Sequence, residues 1–110
     1  NVTVNSLEGT IPVEFGRLSA LRELDLSFNF LYGAIPVDLG RLTKLEELSL
    51  SYNYFSGTLP TELGHLKGMQ RLSVEENELV GSIPLELGSL TALTSLFLFS
   101  NSLVGTIPAE

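Results

Sequence analysis

The chain has no cysteine, one histidine, and six lysines and arginines against thirteen aspartates and glutamates. Without cysteine there is no disulfide, no thiolate nucleophile and no cysteine-ligated zinc. A single imidazole, His65, leaves most metal centres and histidine triads without their parts. The formal net charge of −7 repels phosphate backbones and anionic lipid; this sets nucleic acid and membrane surfaces aside and favours neutral or basic partners. Apolar runs are only a few residues long, as in Leu96 to Phe99, so nothing here forms a membrane-spanning helix. What is present is core material: 44% of the 110 residues are hydrophobic and 17% charged, enough for one modest folded unit and too apolar for disorder.

That material repeats every 24 residues. The five prolines fall at Pro12, Pro36, Pro60, Pro84 and Pro108, and asparagines recur at Asn5, Asn29, Asn53, Asn77 and Asn101. Glycines fill two further columns, Gly9, Gly33, Gly57, Gly81 and Gly105, and Gly16, Gly40, Gly64 and Gly88, leaving only Gly68 outside. An acidic residue follows each proline by two, at Glu14, Asp38, Glu62, Glu86 and Glu110, and seven apolar columns complete the unit, in one copy Leu42, Leu45, Leu48, Leu50, Phe55, Leu59 and Leu63. A fixed period of this kind is the mark of a solenoid.

Written out, the unit is LxxLxxLxLxxNxLxGxIPxxLGx, which resembles the leucine-rich repeat and specifically its 24-residue plant-type variant with the GxIP element. The resemblance covers essentially the whole chain. Departures are conservative, with Val2 and Val74 in a leucine column, Met69 and Phe55 in others, and Leu59 for isoleucine. The fold it implies is an α/β solenoid, a right-handed β/α superhelix with short parallel strands on the concave face and short 3₁₀ or helical turns on the outer side. The whole chain, 1–110, then reads as a single array: a partial unit 1–17, full units 18–41, 42–65 and 66–89, and an incomplete unit 90–110. It has the look of an uncapped excerpt, whose bare end layers at Val2 and Leu103 would permit end-to-end self-association.

Each column has a physical role. Leu24, Asp25 and Leu26 alternate in and out as a short strand does, with equivalents at Leu48 to Leu50, Leu72 to Val74 and Leu96 to Leu98. The asparagines follow each strand, where a buried amide can satisfy backbone groups of its own and the adjoining coil, giving an asparagine ladder of Asn5, Asn29, Asn53, Asn77 and Asn101. In the IPxxLG segment, proline suits the first helical position, the acidic residue faces the positive helix end, and the glycine supplies freedom to leave the turn. Repeated carboxylates such as Asp38 and Glu62 are therefore structural rather than an acid–base pair.

Once the fixed columns are removed, the variable outward positions remain, which by resemblance line the concave face. Ser27, Ser51 and Ser73 are among them. Phe28 is expected beside Tyr52 and Phe30 beside Tyr54, because equivalent residues of adjacent coils are neighbours. Next come the carboxylates Glu75, Glu76 and Glu78, with Glu47 nearby, and then Phe97 and Phe99. Clustered exposed aromatics mark interaction sites, and this set is the candidate ligand-binding surface. There are no candidate catalytic residues, no metal ligands and no implied cofactor, and His65 reads as a solvated outer-face residue. Asn1, Val2 and Thr3 form a glycosylation acceptor pattern.

The function implied is that of a non-catalytic protein-recognition module, not an enzyme, binding a protein or peptide ligand, with a basic one favoured by the charge. The resemblance points to receptor-like proteins, receptor kinases and polygalacturonase-inhibitor-like proteins, and hence to an extracellular or cell-surface ectodomain without membrane insertion by this segment. An intracellular scaffold or adaptor and a secreted enzyme inhibitor stand as alternatives.

Overall fold

The structure is a computed structural model that describes residues 7–104. Asn1, Val2, Asn5 and Glu110 lie outside the described residues, and with them the glycosylation pattern and the first expected rung of the asparagine ladder.

Each repeat folds into one coil. The in-out alternation forms strands β2 (Glu23–Asp25), β4 (Glu47–Ser49), β6 (Arg71–Ser73) and β8 (Ser95–Phe97), which pair in parallel as one sheet in the order β2-β4-β6-β8. Leu24, Leu48, Leu72 and Leu96 stand in register, so the sheet repeats at the 24-residue period of the sequence. The strands begin one residue before the expected spans. Inter-coil hydrogen bonds nevertheless run on past them, with the Leu26 amide donating to the Ser49 carbonyl at 2.9 Å and the Leu50 amide to the Ser73 carbonyl at 2.8 Å.

A second strand layer was not anticipated from the sequence. It comprises β1 (Glu8–Gly9), β3 (Phe30–Ala34) and β5 (Tyr54–Ser56) in one parallel sheet, and β7 (Val80–Ser82) with β9 (Ser102–Val104) in another. Bonds from the Glu78 amide to the Phe55 carbonyl, 2.8 Å, and from the Val80 amide to the Gly57 carbonyl, 2.9 Å, link the two groups. Here the register offset is 22 residues, not 24: Tyr32 pairs with Tyr54 and Val80 with Ser102. Residues equivalent by sequence are therefore neighbours across the first sheet but diagonal across the second.

Between the layers lies the core. The seven apolar columns converge there, and Leu42, Leu45, Leu48, Leu50, Phe55, Leu59 and Leu63 are all buried. The third side of each coil is a five-residue 3₁₀ turn, at Val13–Arg17, Val37–Arg41, Thr61–His65 and Leu85–Ser89.

Two column assignments change. Pro12, Pro36, Pro60 and Pro84 each cap their turn, in extended conformation, rather than standing as the first residue inside it. Gly16, Gly40 and Gly64 are required by crowding and not by a left-handed exit. A Cβ on Gly40 would stand 2.6 Å from the Glu62 carbonyl oxygen, and one on Gly64 2.7 Å from that of Glu86. Hydrogen at that position is what lets successive turns stack.

The left-handed backbone occurs elsewhere. Past each strand of the first sheet, Phe28, Tyr52, Glu76 and Ser100 adopt φ of +59°, +57°, +60° and +56°, an unfavourable region for side chains of this kind. Each is followed by a ladder asparagine. Asn53 Nδ2 donates to the carbonyls of Leu26 at 2.9 Å, Leu50 at 3.2 Å and Ser51 at 3.1 Å, while its Oδ1 accepts from the Leu31 amide at 3.0 Å. Asn77 and Asn101 repeat the pattern one and two coils on, and Asn29 accepts from the Leu7 amide at 2.9 Å. The amide thus fixes the strained turn and joins it to the preceding coil.

Candidate surface for ligand recognition

The outward side chains form two zones separated by the left-handed turn. On the first sheet, Glu23, Asp25, Glu47, Ser49, Arg71 and Ser73 line a depression of about 140 Å³. Beside it Arg22 and Glu46 form an exposed ion pair at 2.8 Å. Asp25 accepts from the Ser27 amide at 3.0 Å and from its hydroxyl, and the Ser49 and Ser51 hydroxyls are 3.3 Å apart.

For Ser27 and Ser51 these bonds explain a correction. Ser27, Ser51 and Ser73, expected to face outward, are only 5%, 4% and 6% exposed. The chain begins its turn at Ser27 and Ser51, where a small hydroxyl folds back on the strand instead of facing solvent. In the third coil Glu75 occupies the same position. The residue is half-buried, and its Oε1 is buried without a hydrogen-bond partner among the described residues.

The second zone is aromatic. Phe28 and Tyr52 rise from consecutive left-handed turns with ring centroids 4.4 Å apart and planes 8° from parallel. Phe30 and Tyr54, from β3 and β5, stack more loosely at 6.5 Å and 17°, as the shifted register of that layer requires. Large apolar side chains normally seek burial, yet these four are 42–54% exposed. Tyr32, exposed and in register with Tyr54, extends the cluster. Its signal was the alternation of Phe30, Leu31 and Tyr32, which is the pattern of a half-buried strand.

The sequence-nominated residues therefore divide. Glu47 and Phe97 stand on concave strands, in β4 and β8. Phe28, Tyr52, Glu75, Glu76 and Phe99 lie at the turn past those strands, while Phe30 and Tyr54 belong to the second layer, with Glu78 just before β7. The cluster thus occupies the rim, not the concave floor. Glu76 meets Tyr52 and Tyr54 in a rim depression of about 240 Å³, whose base carries Asn29 and Asn53. Phe97 and Phe99 are exposed two coils further on. Arg71 and Asp25, on the concave floor, were not nominated.

His65 is exposed at the end of its 3₁₀ turn. Among the described residues no group of three histidines, aspartates or glutamates is arranged to hold a metal ion, and no helix is long and apolar enough to cross a membrane.

Comparison with known proteins matches this geometry to a family. A leucine rich repeat family model matches residues 20–42 and 44–66. The crystal structure of a TDR receptor superposes with a TM-score of 0.90 at 42% identity, over 92% of this chain and 18% of that one. The Arabidopsis receptor kinase HAESA, solved in complex with the peptide hormone IDA and the co-receptor SERK1, gives 0.87 at 42% identity over 92% of this chain and 17% of that one. A plant ice-binding protein gives 0.87 at 34% identity over 96% of this chain and 36% of that one. No curated protein sequence matches. The chain spans less than a fifth of the two receptors and about a third of the ice-binding protein. With its 24-residue coils, concave parallel sheet and outer 3₁₀ turns, the chain belongs to the leucine-rich repeat family, in the plant type shared with those receptor ectodomains.

Proposed function

We propose that the chain is part of the ligand-recognition surface of a receptor-like, extracellular leucine-rich repeat protein, that it binds a protein or peptide across the concave face and its aromatic rim, and that it does no chemistry itself. The observation that carries this reading is the stacked, exposed set of Phe28, Tyr52, Phe30 and Tyr54 beside carboxylates that no described cation neutralises. Rigid rings bury much area at small entropic cost and serve as anchors. Carboxylates at their flank steer a basic partner and reject an acidic one. The receptor solved with a peptide hormone and a co-receptor is support from a relative.

The test is selection of a random peptide library against the chain. Enriched peptides should lose binding through faster dissociation with Phe30→Ala and Tyr54→Ala, and keep it with His65→Ala on the outer face. Loss of binding with the outer-face variant to the same degree refutes the assignment.

A second reading follows from the ice-binding relative. A crystal surface is matched by small side chains repeated at fixed spacing, and Thr10, Ala34, Thr58 and Ser82 form such an exposed column along the second layer. Thermal hysteresis that Thr58→Tyr abolishes would favour it over peptide recognition.

A further inference from the structure

The aromatic ladder stops at a carboxylate. Phe28 covers one face of the Tyr52 ring at 4.4 Å, and the other face looks along the solenoid axis toward the third coil. There the equivalent position, with the same left-handed backbone, holds Glu76. Tyr54 forms the side wall, itself backed by Phe30 at 6.5 Å. The open depression of about 240 Å³ between them has an aromatic face, an aromatic wall and a carboxylate, over a base that carries Asn29 and Asn53.

That carboxylate has no side-chain partner among the described residues. Glu76 makes no side-chain hydrogen bond and no ion pair with any described residue; Arg22 is paired with Glu46 and Arg41 with Asp38. Glu78, on the same flank, is likewise unpaired and exposed. A ring face is the negative side of the aromatic quadrupole, so the π surface and the carboxylate favour the same thing, a cation.

We infer that the slot between Tyr52, Tyr54 and Glu76 is a binding site for an arginine side chain of the partner. The inference rests on the recognition reading above and names the chemistry that this part of the surface selects. A guanidinium is flat, as an ammonium is not. It can lie parallel on the open face of Tyr52, occupying the level in the ladder where a third ring would stand, while its edge N–H groups donate to the Glu76 carboxylate in a fork. A lysine ammonium can satisfy either the ring or the carboxylate well, but lacks the planar edge that serves both.

The experiment is a titration of the 110-residue chain with three small probes, N-acetylarginine amide, N-acetyllysine amide and N-acetylcitrulline amide, followed by NMR of the tyrosine rings and the Glu76 amide. Citrulline has nearly the shape of arginine without the charge. The arginine probe should shift Tyr52, Tyr54 and Glu76 together and saturably, with lysine weaker by about threefold and citrulline by about tenfold or more. Glu76→Gln and Tyr52→Asn should each weaken arginine by about three- to tenfold, since each removes one of the two attractions. Asparagine is used because it tolerates the left-handed backbone, so the ring is lost without adding strain, and circular dichroism checks that both variants fold. Equal shifts with citrulline, unchanged binding in both folded variants, or shifts centred on Glu23 and Glu47 of the concave floor would each overturn the assignment. Failure of the peptide selection with a positive arginine titration would refute the recognition reading and spare the slot; the reverse outcome would refute the slot alone.

Discussion

Replacement of Asn53 by alanine tests the ladder where its consequences can be counted. Four hydrogen bonds disappear, but the partners are not left equally stranded. The Leu26 carbonyl still accepts from Asn29 Nδ2 at 3.0 Å, the Leu50 carbonyl from Asn77 Nδ2 at 2.9 Å, and the Ser51 carbonyl from the Phe28 amide at 3.0 Å. The Leu31 amide has no second acceptor, and Leu31 is buried in the core. The loss is therefore dominated by one orphaned buried N–H, costing about 1–3 kcal/mol, with the weakened carbonyls adding to it. For a domain of this size that corresponds to a fall in Tm of roughly 10 °C. Ser51→Ala is the matched control: Ser51 is as buried as Asn53, but its hydroxyl meets only Ser49 and strands no backbone group. Thermal and urea unfolding followed by circular dichroism on both variants decides the matter. Equal, small losses would refute the reasoning, and so would a restored Tm in Asn53→Leu, which fills space but accepts nothing.

Other expectations concern the backbone and the surface. Gly40→Ala must push coils apart, because its Cβ would meet the Glu62 carbonyl oxygen at 2.6 Å, and should cost about 1–3 kcal/mol in urea titrations. Gly68→Ala, whose nearest atom is the Leu45 carbonyl oxygen at 3.9 Å and whose backbone is not left-handed, should instead be neutral or raise stability by about 0.4–1 kcal/mol. Ser100→Gly should relieve the strain of φ +56° and stabilise by up to about 1 kcal/mol in the same assay. Glu46→Gln breaks the Arg22 pair, whose side chains are 68% and 38% exposed, so unfolding should move by less than about 0.5 kcal/mol, and by nothing measurable at 1 M salt. Charge reversal at Glu78 should slow association of a selected basic peptide mainly at low salt, as surface plasmon resonance across a salt series would read.

The fold was legible because its determinants are columns. A leucine at one position every 24 residues can only be a repeated core layer, and Leu24, Leu48 and Leu72 occupy that layer in register. The left-handed turn was not legible, since Phe28, Tyr52, Glu76 and Ser100 share a backbone conformation and nothing in side-chain chemistry. Glycine, the usual sign of such a turn, marks left-handed backbone in another column, Gly9, Gly33, Gly57 and Gly81, and in a second column answers the close approach of the Glu62 carbonyl to Gly40. The stacking of Phe28 on Tyr52 was readable from the period, whereas the looser stacking of Phe30 on Tyr54 reflects a register of 22 that no column reveals. The burial of Ser51 was hidden for a related reason: strand alternation puts it outside, but the chain is already turning there.

The asparagine bonds have a direction, and it bears on how the protein is made. The amides of Leu7, Leu31, Phe55 and Leu79 are each satisfied by the asparagine 22 residues further along, never by one behind. On a ribosome the chain is exposed from its N-terminal side, so every coil emerges with that amide open and waits almost a full repeat of synthesis for its acceptor. Growth by one coil at a time, each sealed by its successor, keeps a single unsealed layer at the exit tunnel whatever the length of the array. An array of this kind can be lengthened or shortened by whole coils in evolution without presenting the folding chain with a new problem.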